Sequence, residues 1–138
     1  MSIEVYVLVD RSRLPAGGDW QRQLDEADLG VGLDPAVQPS HARGFRPMRF
    51  HNEPTGCEVY ADDVDTDACP EALVPYLNDR HTLVAFRWGG SLSEMAVGLA
   101  AASTLAVLTE GIYLDPQDEA VLEGPTALAM AQRELAKL

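Results

Sequence analysis

The stretch TLVAFRWGGSLSEMAVGLAAASTLAVLTEGIYLDPQ, residues 82–117, runs an apolar strand, a Gly-Gly turn, a small-residue-rich helix and a second short strand together without a break. Thr82 to Phe86 reads as a buried strand. Ser91-Leu92-Ser93-Glu94 fits a capping box, in which the Ser91 hydroxyl accepts from the Glu94 backbone and the Glu94 carboxylate accepts from that of Ser91. Leu92 to Thr109 is then a helix that is apolar on nearly every side, a pattern expected of a helix covered on two faces. Gly98, Ala102 and Ala106 recur every four residues and leave a flat stripe that should meet the sheet or a neighbouring helix. Gly111 is expected to end this helix, Ile112 to Leu114 to form a strand, and Asp115-Pro116-Gln117-Asp118 to turn into a strand at Ala120 to Leu122. Pro125 precedes a last helix, Thr126 to Leu138, with Leu128, Ala131, Leu135 and Leu138 on one stripe.

Upstream, Ile3 to Val9 reads as a central strand, and Asp19 stands as the N-cap of a helix over Trp20 to Leu29 that Gly30 would close. Residues 30–40 hold two glycines and two prolines and read as a loop, with room for a short strand. Phe45 to His51 and Gly56 to Ala61 alternate as strands joined by the hairpin connection Asn52-Glu53-Pro54-Thr55-Gly56, and Pro47 marks the first of them as an edge. Pro70 to Asp79 carries Leu73, Tyr76 and Leu77 at helical spacing, although Pro75 removes a donor inside it and argues for two short pieces. The resulting order is βαββαβαββα. It predicts one α+β domain over residues 1–138, a mostly antiparallel or mixed sheet with helices packed on it and helix 92–109 buried at its centre. Gly30-Val31-Gly32-Leu33-Asp34-Pro35 also echoes Gly111-Ile112-Tyr113-Leu114-Asp115-Pro116, which raises a duplicated βαβ unit as a question for the coordinates.

Length and composition bound the function. A chain of 138 residues, 46% apolar and 23% charged, can bury roughly two thirds of its unfolded surface around one core. No run reads as a bilayer span, since the longest apolar window, Met95 to Leu108, is broken by Gly98, Ser103 and Thr104. The start Ser2-Ile3-Glu4-Val5 has no secretory pattern, so a cytoplasmic location is expected. A net charge of −12 disfavours nucleic acid and anionic membrane as partners and favours a basic protein. Nine Arg against the single Lys137 point to a high-GC bacterial genome. Cys57 and Cys69 read as small core residues, and the histidines have no zinc spacing.

Three constellations are candidates for chemistry. Arg87-Trp88-Gly89-Gly90 with Glu94 and Asp115 resembles an anion-binding helix start, but no P-loop or dinucleotide fingerprint is present and Glu94 would repel an anion; a glycine turn, a core role for Trp88 and a cap role for Glu94 are the favoured reading, because the capping box accounts for Glu94 fully. The basic strip His41, Arg43, Arg46, Arg49 and His51 could take an anion, or pair with the eight carboxylates that occur without Arg or Lys between Glu53 and Asp79. Asp62, Asp63, Asp65 and Asp67 have the opening rhythm of a calcium loop, yet Ala68 and Val74 stand where glycine and the bidentate glutamate are needed, which leaves a solvated acidic surface and no metal site. No nucleophile elbow or catalytic cysteine context appears, so neither catalytic residues nor a cofactor are assigned.

Phe86-Arg87-Trp88-Gly89-Gly90, the following helix and Gly111 to Gln117 resemble small acidic uncharacterised bacterial proteins, some of them immunity-like. The resemblance implies a non-enzymatic, toxin-neutralising role in which an acidic surface near Asp62 to Glu71 occludes a basic active site. A small enzyme or ligand-binding domain built from Arg87, Trp88, Glu94 and Asp115 is the competing reading, and it requires those four side chains to converge. A homodimer formed through the small-residue helix or an edge strand is a third.

Overall fold

The computed structural model describes residues 2–34 and 39–138, without the side chain of His41. Its strands are β1 (Ile3–Val9), β2 (Val31–Leu33), β3 (Arg43–Phe50), β4 (Glu53–Asp63), β5 (Thr82–Trp88), β6 (Ile112–Asp115) and β7 (Ala120–Glu123). Its helices are α1 (Gly17–Glu26), α2 (Leu92–Thr109) and α3 (Gly124–Ala136). The strands form one sheet in the order β2-β3-β4-β5-β1-β6-β7, and every neighbouring pair is antiparallel. The α+β class and the buried helix 92–109 are as the sequence predicts.

Alternation decides which face each residue serves. Val5, Val7, Val9, Cys57, Val59, Val84, Phe86, Trp88 and Tyr113 point to one face, where all three helices pack. Leu8, Ile112 and Leu114 point to the other, where they meet Cys69, Leu73 and Leu77 of the segment that follows β4. That segment, residues 64–80, is a cap over the end of the sheet where β1, β6 and β7 lie. Among the described residues, no further segment packs on the rest of the helix-free face.

Helix α2 is buried from Ala96 to Ala106, and its small-residue stripe is filled from within the chain. A Cβ on Gly98 would stand 2.6 Å from Cζ3 of Trp88, and a Cβ on Gly124 at the start of α3 would stand 2.8 Å from the Ala106 carbonyl. The stripe therefore meets both the sheet and a neighbouring helix. Contrary to the reading of the sequence, the 18 residues from Leu92 are apolar enough, at mean hydropathy 1.5, to match a bilayer span by length and composition, but 67% of them are buried within the fold.

Several boundaries differ from the sequence pattern for identifiable reasons. Helix α1 begins at Gly17, so Asp19 lies in its first turn and not at the N-cap. Residues 71–76 form a 3₁₀ turn in place of a helix over 70–79, because Pro75 cannot donate within a longer α-helix. The hairpin turns on His51 and Asn52 alone, both at positive φ (50° and 68°), as a two-residue type I′ turn demands, so β4 starts at Glu53. Pro54 is tolerated because β5 pairs with β4 only from Glu58 onward. Short β2 covers β3 from Met48 to Phe50 only, leaving Pro47 on an uncovered edge. The capping box is half formed: Ser91 Oγ accepts from Glu94 N, but the Glu94 carboxylate accepts from Gly89 N at 3.3 Å and not from Ser91.

The left-handed residue that closes α2 is Glu110 (φ 52°), not Gly111. Gly111 is small for another reason: a Cβ there would stand 2.9 Å from the Leu8 carbonyl. Since a non-glycine residue in this conformation costs about 1 kcal/mol, Glu110→Gly is expected to raise stability by roughly 0.5–1 kcal/mol in urea unfolding. A decrease would show that the exposed Arg13–Glu110 pair, 3.3 Å long, outweighs backbone strain.

The two echoing hexapeptides face opposite ways. Val31 and Leu33 pack towards the helices, whereas Ile112 and Leu114 pack towards the cap. Their flanking strands also differ, since β1 and β2 are separated in the sheet by β3, β4 and β5, and β5 and β6 by β1 alone. Pro35 lies outside the described residues.

Candidate functional site

The bare half of the helix-free face is built by four strands. Across them the register places Phe45, Glu58, Arg87 and Glu4 in one row and Arg43, Tyr60, Ala85 and Tyr6 in the next. The Arg87 Nε donates to Glu4 Oε1 at 2.6 Å, and the same carboxylate takes an ion pair from the guanidinium. Tyr6 donates to Glu4 at 2.7 Å, and Tyr60 donates to Glu58 at 2.6 Å. The guanidinium carbons of both Arg87 and Arg43 lie 5.8 Å from the Tyr60 ring centroid, within cation–π range. Phe45 is 57% exposed because its ring covers Gly56, whose missing Cβ would lie 2.5 Å from Phe45 Cζ. An aromatic laid over a strand glycine compensates the gap in the sheet surface.

These contacts set the local titration. Partial burial pushes the Glu4 carboxyl up, but the Tyr6 and Arg87 hydrogen bonds and the Arg87 charge outweigh it and hold it below the usual carboxylate range. Burial, followed by the bond to Glu4, pushes the Tyr6 phenol up to about 12. Tyr60 rises through its bond to Glu58. Both phenols are therefore protonated donors at neutral pH, the Tyr60 ring lying against Arg43 and Arg87 and the Tyr6 ring against the cap.

Arg87, Trp88, Glu94 and Asp115 do not converge. Arg87 and Trp88 are adjacent on β5 and so point to opposite faces, the first to Glu4 and the second, 4% exposed, into the helix-side core over Gly98. Glu94 turns back onto Gly89, and Asp115 accepts from Gln117 N at 3.0 Å at the end of β6. Turn, core and cap roles account for all but Arg87. Surface concavities lie elsewhere, among them about 270 Å³ between Asp10, Arg13, Asn78 and Arg80, about 500 Å³ between Leu33, Pro47, Arg49 and Pro54, and about 400 Å³ between Gln21, Asp25, Arg49 and His51. No group of three potential metal-ligating side chains occurs among the described residues.

The acidic run is divided by the same alternation. Asp62 points to the bare face and pairs with Arg43; Asp63 points to the opposite face, where it pairs with Arg11 at 3.0 Å and accepts from Thr82 Oγ1 at 2.9 Å. Part of the basic strip is thus neutralised internally, while Arg46 faces the other way and His51 stacks on Phe50 with ring centroids 4.2 Å apart. On the cap, Asp65, Asp67, Glu71 and Asp79 have no ion-pair partner among the described residues, and the same holds of carboxylates elsewhere on the surface such as Glu26, Glu53, Asp118 and Glu123. Asp65 bonds the Ala68 backbone at 2.9 Å and so starts the cap's turn.

A signal for the bare-face residues lies in the sequence. The tripeptide Glu-Val-Tyr occurs twice, at residues 4–6 and 58–60, and β1 and β4, both antiparallel to β5, set the two copies on either side of Ala85 and Arg87. No protein-family model, no curated protein and no solved structure matches the chain.

Proposed function

We propose that the chain is a non-enzymatic bacterial protein of the cytoplasm that binds a basic protein partner, in the manner of an immunity protein neutralising a toxin. What supports this reading is the cap, a segment that buries Leu73 and Leu77 against the sheet and holds Asp65, Asp67, Glu71 and Asp79 exposed, with no ion-pair partner among the described residues. In a molecule of net charge −12 these carboxylates project a field that accelerates encounter with a cationic surface and rejects anionic ones. Self-association through the helical stripe has no surface to use, because Trp88 and Gly124 occupy it.

Co-expression with the products of the adjacent reading frames, followed by size-exclusion chromatography and stopped-flow association, tests the proposal. A complex with a basic product is expected, forming about tenfold more slowly at physiological than at low ionic strength. Replacing the four cap carboxylates together, Asp65→Asn, Asp67→Asn, Glu71→Gln and Asp79→Asn, is expected to slow association by about tenfold with little change in dissociation. Failure of every adjacent product to bind, or association indifferent to salt and to the four substitutions, ends the proposal.

A further inference from the structure

The sheet ends differently on its two sides. At the β2 edge the Gln21 carboxamide stands in for a missing strand, its Oε1 accepting from Leu33 N at 2.6 Å and its Nε2 donating to Val31 O at 3.0 Å. That edge is closed. At the other edge β7 pairs with β6 alone, and among the described residues nothing bonds the alternate N–H and C=O groups that it turns outward. Ala120-Val121-Leu122-Glu123 holds no proline and no lysine, so its length of four residues is what shields it from pairing with another chain.

The charges around β7 choose what can pair with it. Asp118 and Glu119 are exposed at its start and Glu123 at its end, and none of the three has an ion-pair partner among the described residues. Between them Val121 packs towards the cap and Leu122 towards the helices, so the strand is backed on both faces. A second copy fits poorly. Paired antiparallel, two β7 strands would bring Glu123 of each beside Asp118 and Glu119 of the other; paired parallel, Glu123 would meet Glu123, and each copy carries a net charge of −12. A basic segment meets carboxylates at both ends instead. The cap that bears Asp65, Asp67, Glu71 and Asp79 covers the same end of the sheet, so the open edge lies beside the charges that draw such a segment in.

We propose that β7 is the docking edge for the basic protein partner, which adds an extended segment as an eighth strand, with a lysine or arginine at its ends against Asp118, Glu119 and Glu123. The inference rests on the reading of the chain as a binder of basic proteins and gives that contact its place on the fold. Main-chain hydrogen bonds to β7 hold the segment, the flanking carboxylates select a basic sequence, and the cap carboxylates govern encounter.

The test titrates the ¹⁵N-labelled full chain at low salt with the peptide Lys-Val-Thr-Val-Thr-Lys and with the same peptide methylated on each peptide nitrogen, which keeps the charge and loses the strand donors. The largest amide shifts are expected at residues 118–123, with slowed hydrogen exchange at the outward amides of β7 and binding about tenfold weaker for the methylated peptide. Asp118→Asn, Glu119→Gln and Glu123→Gln together, all at exposed positions, should weaken the parent peptide about tenfold, whereas the fourfold cap variant should slow association and leave the largest shifts on β7. Equal binding of the two peptides, or shifts largest at residues 65–79, would overturn the docking edge and leave the acidic-surface reading standing. No saturable shift with either peptide would overturn it as well, while complex formation with a basic adjacent product would still uphold the wider reading. Concentration-dependent shifts at residues 120–123 without peptide would give the edge to a second copy and likewise overturn the proposal.

Discussion

Gly98→Ala is expected to destabilise the protein by about 2–3 kcal/mol, although alanine is the better helix former by about 1 kcal/mol. The two effects have opposite signs, so the experiment decides between them. The added methyl would stand 2.6 Å from Cζ3 and 3.1 Å from Cδ2 of Trp88, far inside ordinary contact. The indole is 4% exposed, so it has no free volume to enter without displacing its neighbours in the core. Urea unfolding should show a lower midpoint at an unchanged slope. Pairing the substitution with Trp88→Leu, which removes the atoms it strikes, should recover at least about 1 kcal/mol relative to the sum of the single changes. If Gly98→Ala stabilises the chain, α2 is not pressed against β5 as described, and the central packing is wrong.

Trp20→Ala should cost about 4 kcal/mol and lower the melting temperature by roughly 15 °C. Helix α1 is tied to the fold by few large side chains, since Trp20 and Leu24 are the ones it buries fully. Trp20 is 0% exposed, sits edge-on to Phe86 with centroids 6.2 Å apart, and donates its indole N–H to Ala101 O at 3.2 Å and Thr104 Oγ1 at 3.0 Å. Truncation opens a cavity among α1, α2 and the sheet and removes that cross-layer hydrogen bond. Trp20→Phe keeps most of the volume and isolates the bond, with an expected cost of about 1–2 kcal/mol. A shift below about 3 °C for the alanine variant would mean that α1 is not anchored through this residue.

The elements that survive comparison with the structure are those whose signal is local. Helix α2 is legible because 18 successive residues have no polar side, and β1 and β5 because each is a short, mostly apolar run of strand-forming residues. The placement of Asp62 against Arg43 follows from the same alternation once β4 is recognised. What misleads is chemistry whose outcome depends on neighbours. Gly111 reads as a helix cap but is small because β1 lies beside it, and Glu94 reads as one arm of a reciprocal cap but reaches Gly89. Residues 70–79 have helical spacing, yet a 3₁₀ turn satisfies both Pro75 and the burial of Leu73.

The candidate site shows the divide most clearly. Both Glu-Val-Tyr tripeptides are plain in the chain, and each dictates an outward Glu and Tyr around an inward Val. That they flank one strand, with Arg87 and Ala85 between them, is not written in either. Backbone hydrogen bonds have the same chemistry for every pair of strands, so the order β4-β5-β1 is settled by which inward faces pack under α2 and by the two crossovers that carry the chain over the sheet. Periodicity by itself determined the class of fold, the buried helix and which residues of a strand share a face. Tertiary packing alone decided which faces adjoin, and so which tyrosines, carboxylates and arginines meet.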